Sequence, residues 1–289
     1  MEILRRVTNI IDPIYVLEGA GVRLRRSIAT QTLDYLDPFL LFDHFGSDDP
    51  NDYLAGFPMH PHRGIETVTY MLDGQVDHKD SMGNSGTIEK GDIQWMTSGS
   101  GILHEEMPKK PEEGIMEGFQ LWVNLPAKLK MTTPRYRGIT SSKIPEVKDD
   151  NSVTVRIVAG DYEGVKGAIS EIYADPEYLD VNIPAGSSFE QHIKRGHTAF
   201  AYIFEGDGIF GDFELESFKK GTHIQATRMA IFDDGDSVRA YADQNPVRFL
   251  LVSGKPLNEP IARYGPFVMN TTDEIEQALR DLQNDNFVK

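Results

Sequence analysis

FPMHPHRG, residues 57–64, and its later counterpart WMTSGSGILHEEMP, residues 95–108, decide how this chain is read. Each offers two metal-binding side chains two residues apart: His60 with His62, then His104 with Glu106. Residues i and i+2 of an extended strand leave the same face, so each pair points one way. The run Thr97, Ser98, Gly99, Ser100, Gly101 is too small to pack a core and reads as a tight backbone passage beside a functional loop. Three neutral imidazoles and one carboxylate form a donor set of intermediate softness. It suits iron(II), manganese, nickel, copper or zinc better than magnesium or calcium. The spacing predicts one mononuclear metal centre carried on strands.

The flanking segments read as the walls of that site. RGIETVTYML, residues 63–72, alternates and is rich in β-branched residues, which predicts a strand. If the register of His60 and His62 continues through it, Glu66 faces the metal side. There it would be a further ligand, an outer partner that orients a histidine, or a buried acid paired with Arg63. Phe57, Met59 and Trp95, adjacent in sequence to the histidines, are expected to supply apolar pocket walls. In EGFQLWVNLP, residues 117–126, Phe119, Leu121 and Val123 share a core face, while Gln120, Trp122 and Asn124 share one that can line a pocket. YLDPFLLFDHF, residues 35–45, reads as buried packing in which His44 is structural. His78 and Asp80 stand in a polar hairpin with Gly83, Asn84 and Gly86 and are expected to face solvent. Arg23, Arg25 and Arg26 are expected on a solvated surface.

Composition bounds the function. The formal charge of −16 over 289 residues repels polyphosphates, so direct nucleic-acid binding is not expected. With no cysteine, neither disulfides nor thiolate metal sites are available. No stretch has the length and apolarity of a membrane span, nor does the start read as a leader. The cytoplasm is the expected location, with the nucleus open to a eukaryotic source. The length fits two domains. A lysine-, proline- and aspartate-rich segment, Ala127 to Ser152, reads as the linker, which divides the chain into 1–135 and 136–289. Short alternating runs bounded by turn residues recur on both sides, and YIFEG at 202–206 parallels YMLDG at 70–74, so two similar all-β domains are predicted. His192, His197 and His223 lack the paired spacing and read as surface or packing residues. At the end, TTDEIEQALRDLQ, residues 271–283, carries a capping box in Thr271 and Glu274 and an apolar stripe of Ile275, Ala278, Leu279 and Leu282. It predicts a helix over 272–284 that packs on a sheet.

HPHRG at 60–64, QWMTSGSGILHEEMP at 94–108, QLWVNLP at 120–126 and GPFVMNT at 265–271 together resemble the pirin family of the cupin superfamily, over most of the chain. The resemblance implies an all-β bicupin: two cupin-type β-barrels, the first holding one iron, the second without metal ligands, and a C-terminal helix packed on a barrel. It implies His60, His62, His104 and Glu106 as ligands, with Glu105 directed away. Other cupins take a glutamate shortly after HxH, the place of Glu66, whereas pirins take the glutamate of the second motif, Glu106. The expected cofactor is one divalent transition metal, iron(II) first, with manganese, nickel, copper, cobalt or zinc as substitutes. Some pirins resemble quercetin dioxygenases, which implies a flavonol substrate, dioxygen, and Glu106 as the catalytic base. Animal members instead imply an iron-containing redox sensor that binds transcription factors or other proteins. A monomer is expected.

Overall fold

Alternating apolar and polar residues in Ile65–Asp73 and Met116–Asn124 place these two strands side by side within a seven-stranded antiparallel sheet. In the computed structural model, which describes residues 2–111, 114–214 and 220–288, the order across that sheet is Arg135–Ile139, Ile93–Thr97, Ile65–Asp73, Met116–Asn124, Phe39–Ser47, Val22–Ile28, Ile14–Glu18. Cross-strand partners share a face, so the register sorts the side chains. Val68 lies opposite both Leu121 and Trp95, and Tyr70 opposite Phe119, on the outer face. Thr69 lies opposite both Gln120 and Gln94 on the inner face. A four-stranded sheet, ordered Phe57–His62, Ile102–Lys109, Gln75–Asp80, Ser85–Ile88, faces that inner side. Val76 and Ile88 from it pack with Val22, Leu24, Met71 and Met116 from the larger sheet. The result is a cupin-type sandwich; among the described residues, strand pairing does not close it into a hydrogen-bonded ring.

The chain crosses between sheets at Arg63–Gly64. Gly64 has φ +82°, and a Cβ there would stand 2.0 Å from the Val268 carbonyl oxygen, so only glycine fits the crossing. The crossing also resets the alternation between His62 and Glu66. The histidines and Glu66 therefore lie on different sheets.

The contiguous division at 135/136 is not the one the chain makes. One compact unit is Ile14–Ser141 with Leu257–Lys289; the other is Met1–Pro13 with Ser142–Pro256. Residue 135 begins the strand Arg135–Ile139, which pairs with Ile93–Thr97, so the supposed linker contributes an edge strand to the first sheet. Its weak periodicity hid a strand of only five residues. Val7–Ile11 pairs with Arg228–Phe232 and belongs to the second unit. The helix Thr272–Gln283 belongs to the first unit, not to the second domain as the contiguous division has it. Its capping box is present, and Ile275, Ala278, Leu279 and Leu282 pack with Leu103, Phe267 and Phe287. Leu103 alternates with His104, so the helix covers the outer side of the strand whose inner side carries that histidine.

The second unit is a ten-stranded sheet system around Ile157, Leu179, Val181, Phe189, Phe210, Phe249 and Leu251. His192 and His223 are exposed on it. No helix among the described residues is long and apolar enough to cross a membrane.

Candidate metal centre

Phe57–His62 is the edge strand of the four-stranded sheet and pairs only with Ile102–Lys109. That explains how Pro58 and Pro61, which lack an amide proton, can alternate with Met59, His60 and His62. The register sets His60 opposite His104, and a bulge between His104 and Glu106 carries the carboxylate on along the same wall. The three imidazole centroids lie 4.3 to 5.0 Å apart. One nitrogen from each of His60, His62 and His104 lies within 4.8 Å of the others, as ligands of a single ion would.

The nitrogens fit a cation. His60 Nδ1 lies 3.0 Å from the Pro58 carbonyl oxygen and donates to it, which leaves Nε2 as a lone-pair donor aimed at His62 Nε2, 3.1 Å away. Both ring nitrogens of His104 are buried without a hydrogen-bond partner. Burial pushes all three imidazoles below their ordinary pKa, so they are neutral and ready to ligate near pH 7. An ion among them would satisfy groups that otherwise cost free energy to bury.

Glu106 stands on the wall of the cavity beside the histidines, outside the group whose ligand atoms cluster. Burial raises its carboxyl to about 7, partly opposed by a hydrogen bond from the Thr69 hydroxyl at 3.1 Å. Thr69 Oγ1 is also 2.6 Å from the Gln120 side chain. The Gln120 atom is its amide oxygen, so the one hydroxyl proton of Thr69 has two acceptors, Gln120 Oε1 and Glu106 Oε1. The cavity measures about 500 Å³, within the size range of small-molecule sites. His60, His62 and Glu106 meet Phe57, Trp122 and Met116 on its surface. Trp122 stands edge-on to His62, with centroids 5.1 Å apart at 85°.

Several expectations are corrected here. Met59 alternates away from His60 and is 45% exposed, so it is not a pocket wall. Trp95 is fully buried on the outer face of the large sheet, where the Arg137 guanidinium lies 6.0 Å from its ring, and it does not reach the cavity. Glu66 shares that outer face. It accepts from Thr97 Oγ1 at 2.7 Å, and Arg137 Nη2 is 3.8 Å away, so it touches neither the histidines nor Arg63. Arg63 is instead paired with Asp281 of the helix at 2.7 Å and stacks on Phe287. His78 and Asp80 are not solvent-facing. Their strand is paired with Ile102–Lys109, which brings Asp80 opposite His104 and His78 opposite Glu106 on the inward side. The His78 ring is stacked on Tyr136 at 4.7 Å and 9°, 5.8 Å from the His104 ring. Arg26 is not on a solvated surface either: it lines the cavity, held by Asp43 at 2.7 and 2.8 Å and by Glu18 at 2.6 Å.

Phe57 lines the cavity as expected, as do Gln120 and Trp122 from the face of their strand set aside for a pocket. His44 is structural, buried against Phe119 with its Nε2 3.1 Å from Glu117. Sequence reasoning missed Thr69 and Arg263. Thr69 follows from parity once the reset at Gly64 is known; Arg263 lies more than two hundred residues from His60, with no local signal.

Known proteins give the same picture. The Pirin family model matches residues 21–123, and the model for the Pirin C-terminal cupin domain matches residues 178–288. A Pseudomonas aeruginosa protein provisionally named a quercetin 2,3-dioxygenase is 43% identical over 274 residues, 92% of each chain. A pirin-like protein of Caulobacter vibrioides is 42% identical over 287 residues, 98% of this chain and 99% of its own. Among solved structures, a quercetin 2,3-dioxygenase from Acinetobacter baumannii superposes with a TM-score of 0.87 at 33% identity, over 99% of this chain and 100% of its own. Together with the inward-facing histidines of its first unit, these matches establish that the chain belongs to the pirin family.

Proposed function

We propose that the protein is a metal-dependent dioxygenase that opens the heterocycle of flavonols such as quercetin, with His60, His62, His104 and Glu106 holding the metal. The observation that carries this reading is the convergence of three unprotonated imidazoles, two of which, His60 and His62, line a cavity large enough for an aromatic ligand. A bound ion, iron(II) first among the candidates, would supply Lewis acidity and a redox-active contact for dioxygen. The protein's own groups do the rest. Glu106 takes the proton of the substrate hydroxyl, a task suited to a carboxylate whose affinity for protons is already raised by burial. Thr69 fixes that carboxylate in place. Phe57 and Trp122 flank the aromatic body, and the apolar wall of Val22, Leu24 and Met116 excludes water from the opening ring. Both oxygen atoms of dioxygen enter the products, and one ring carbon leaves as carbon monoxide.

The test is elemental analysis of protein purified without oxygen, followed by oxygen-uptake assays with quercetin for each reconstituted ion. His60→Ala should lose both bound metal and turnover. Full metal content and activity in that variant would refute the ligand assignment, and an intact metal site without oxygen uptake would refute the reaction.

A further inference from the structure

At the rim of the same cavity, Arg263 is exposed and has no carboxylate partner among the described residues. It belongs to the short strand Ala262–Tyr264 and lines the cavity together with Trp122 and Pro266. Its guanidinium makes one hydrogen bond, from Nη1 to the Leu40 carbonyl oxygen at 3.3 Å, and among the described residues no carboxylate lies within ion-pair distance. The other arginine of the cavity, Arg26, is the opposite case, since Asp43 and Glu18 occupy its donors. Partial desolvation and repulsion from the Arg26 guanidinium lower the Arg263 pKa below the usual arginine value, while Asp34, Glu18 and Asp43 raise it from longer range. A guanidinium with free donors in a substrate cavity is matched to a planar oxyanion, which it can bind by two parallel hydrogen bonds.

Its position relative to the histidines is also set. The Arg263 Cζ atom lies 5.4 Å over the Trp122 ring, and that ring is 5.1 Å from the His62 ring. Trp122 is thus a neighbour of both the guanidinium and the ligand histidine His62. A rigid aromatic ligand laid along Trp122 would touch both.

We infer that the substrate class is an acidic aromatic: a hydroxylated ring system bearing a carboxylate that pairs with Arg263 while its hydroxyl end reaches the side of the cavity lined by His60 and His62. This rests on the reading of the cavity as the substrate site. It narrows that reading, because a neutral flavonol offers the free donors of Arg263 no charged acceptor. Asp43 and Glu18 are neutralised only in part by Arg26, so the preference is moderate rather than absolute.

The test is calorimetric binding to the metal-loaded protein of two probes: a flavonol, and the same flavonol with a carboxylate on its outer phenyl ring. The wild type should bind the carboxylate form at least roughly threefold tighter, and the preference should shrink at about 0.5 M salt, where a rim ion pair is screened. Arg263→Gln should abolish the preference, and Arg263→Lys should retain part of it. Equal or weaker binding of the carboxylate form by the wild type would overturn the proposal, as would a preference undiminished by salt or by Arg263→Gln. The wild-type comparison decides even if the variants do not fold. Because binding is read without turnover, a preference without oxygen uptake would remove the dioxygenase reading and keep this one. Oxygen uptake without a preference would do the reverse.

Discussion

Replacing Gly64 by alanine tests whether the crossing between sheets sets the histidine geometry. Two costs follow from the structure. The backbone sits at φ +82°, where an alanine costs about 1 to 2 kcal/mol. Its Cβ would also meet the Val268 carbonyl oxygen at 2.0 Å, so that carbonyl must retreat by about an ångström or more. The same oxygen accepts from the buried Lys130 Nζ at 2.8 Å, as does the Gly64 carbonyl at 3.0 Å. Weakening one hydrogen bond to a charged group adds roughly 1.5 to 3 kcal/mol. The expected loss is about 2.5 to 5 kcal/mol, a large share of the stability of a typical domain. Urea unfolding followed by tryptophan fluorescence is the appropriate assay, because Trp95 and Trp122 both lie in the histidine-bearing unit. Gly83→Ala is the control: it shares the unit and a positive φ of +89°, but nothing lies within 4 Å of the added Cβ. It should show the backbone cost alone. If the two variants lose stability equally, the packed carbonyl does not constrain the crossing and the reasoning fails.

Two further outcomes are expected. Thr69→Val removes the hydroxyl that holds Glu106, and kcat for flavonol oxygenation should fall roughly ten- to hundredfold with metal content unchanged by elemental analysis; lost metal would mean that Thr69 supports the site itself. In the second unit, burial pushes the Glu177 carboxyl from its ordinary 4.5 up to about 8, against a hydrogen bond from Gln191 at 2.9 Å. The folded state therefore holds a proton that the unfolded chain releases, and stability is fully present below pH 4.5 and declines as pH rises to about 8. Calorimetry across that window should show a loss of roughly 1 to 3 kcal/mol in the wild type and a flatter profile in Glu177→Gln; parallel profiles would refute the assignment.

The convergence of the three histidines was legible in the sequence because its signal is local. HPH and HEE each put two donors on one face of one strand, and antiparallel pairing needed only to bring His60 opposite His104. The capping box and apolar stripe of the final helix were legible for the same reason. What failed was inference carried across a break. Continuing the parity of His62 into Glu66 assumed a continuous strand, and the positive φ at Gly64 moved Glu66 to another sheet and another face. Trp95 was assigned by nearness along the chain, yet its own strand turns it outward opposite Val68. His78 was read as exposed because its neighbours are polar, although its spacing with Asp80 repeats that of the inward-facing pairs. Arg263 and the membership of residues 257–289 depend on contacts between distant segments, which no window of sequence displays.

The return of the last segment to the first unit has a consequence for biosynthesis. Arg63 leaves the ribosome 218 residues ahead of Asp281, its buried partner, and the strand carrying His104 emerges long before the helix that covers its outer side. Through most of translation the nascent histidine-bearing sheets hold an unpaired cation and an uncovered apolar stripe, a state open to chaperones and to aggregation. The histidine-bearing unit closes only after residues 257–289 have followed the whole of the other unit off the ribosome.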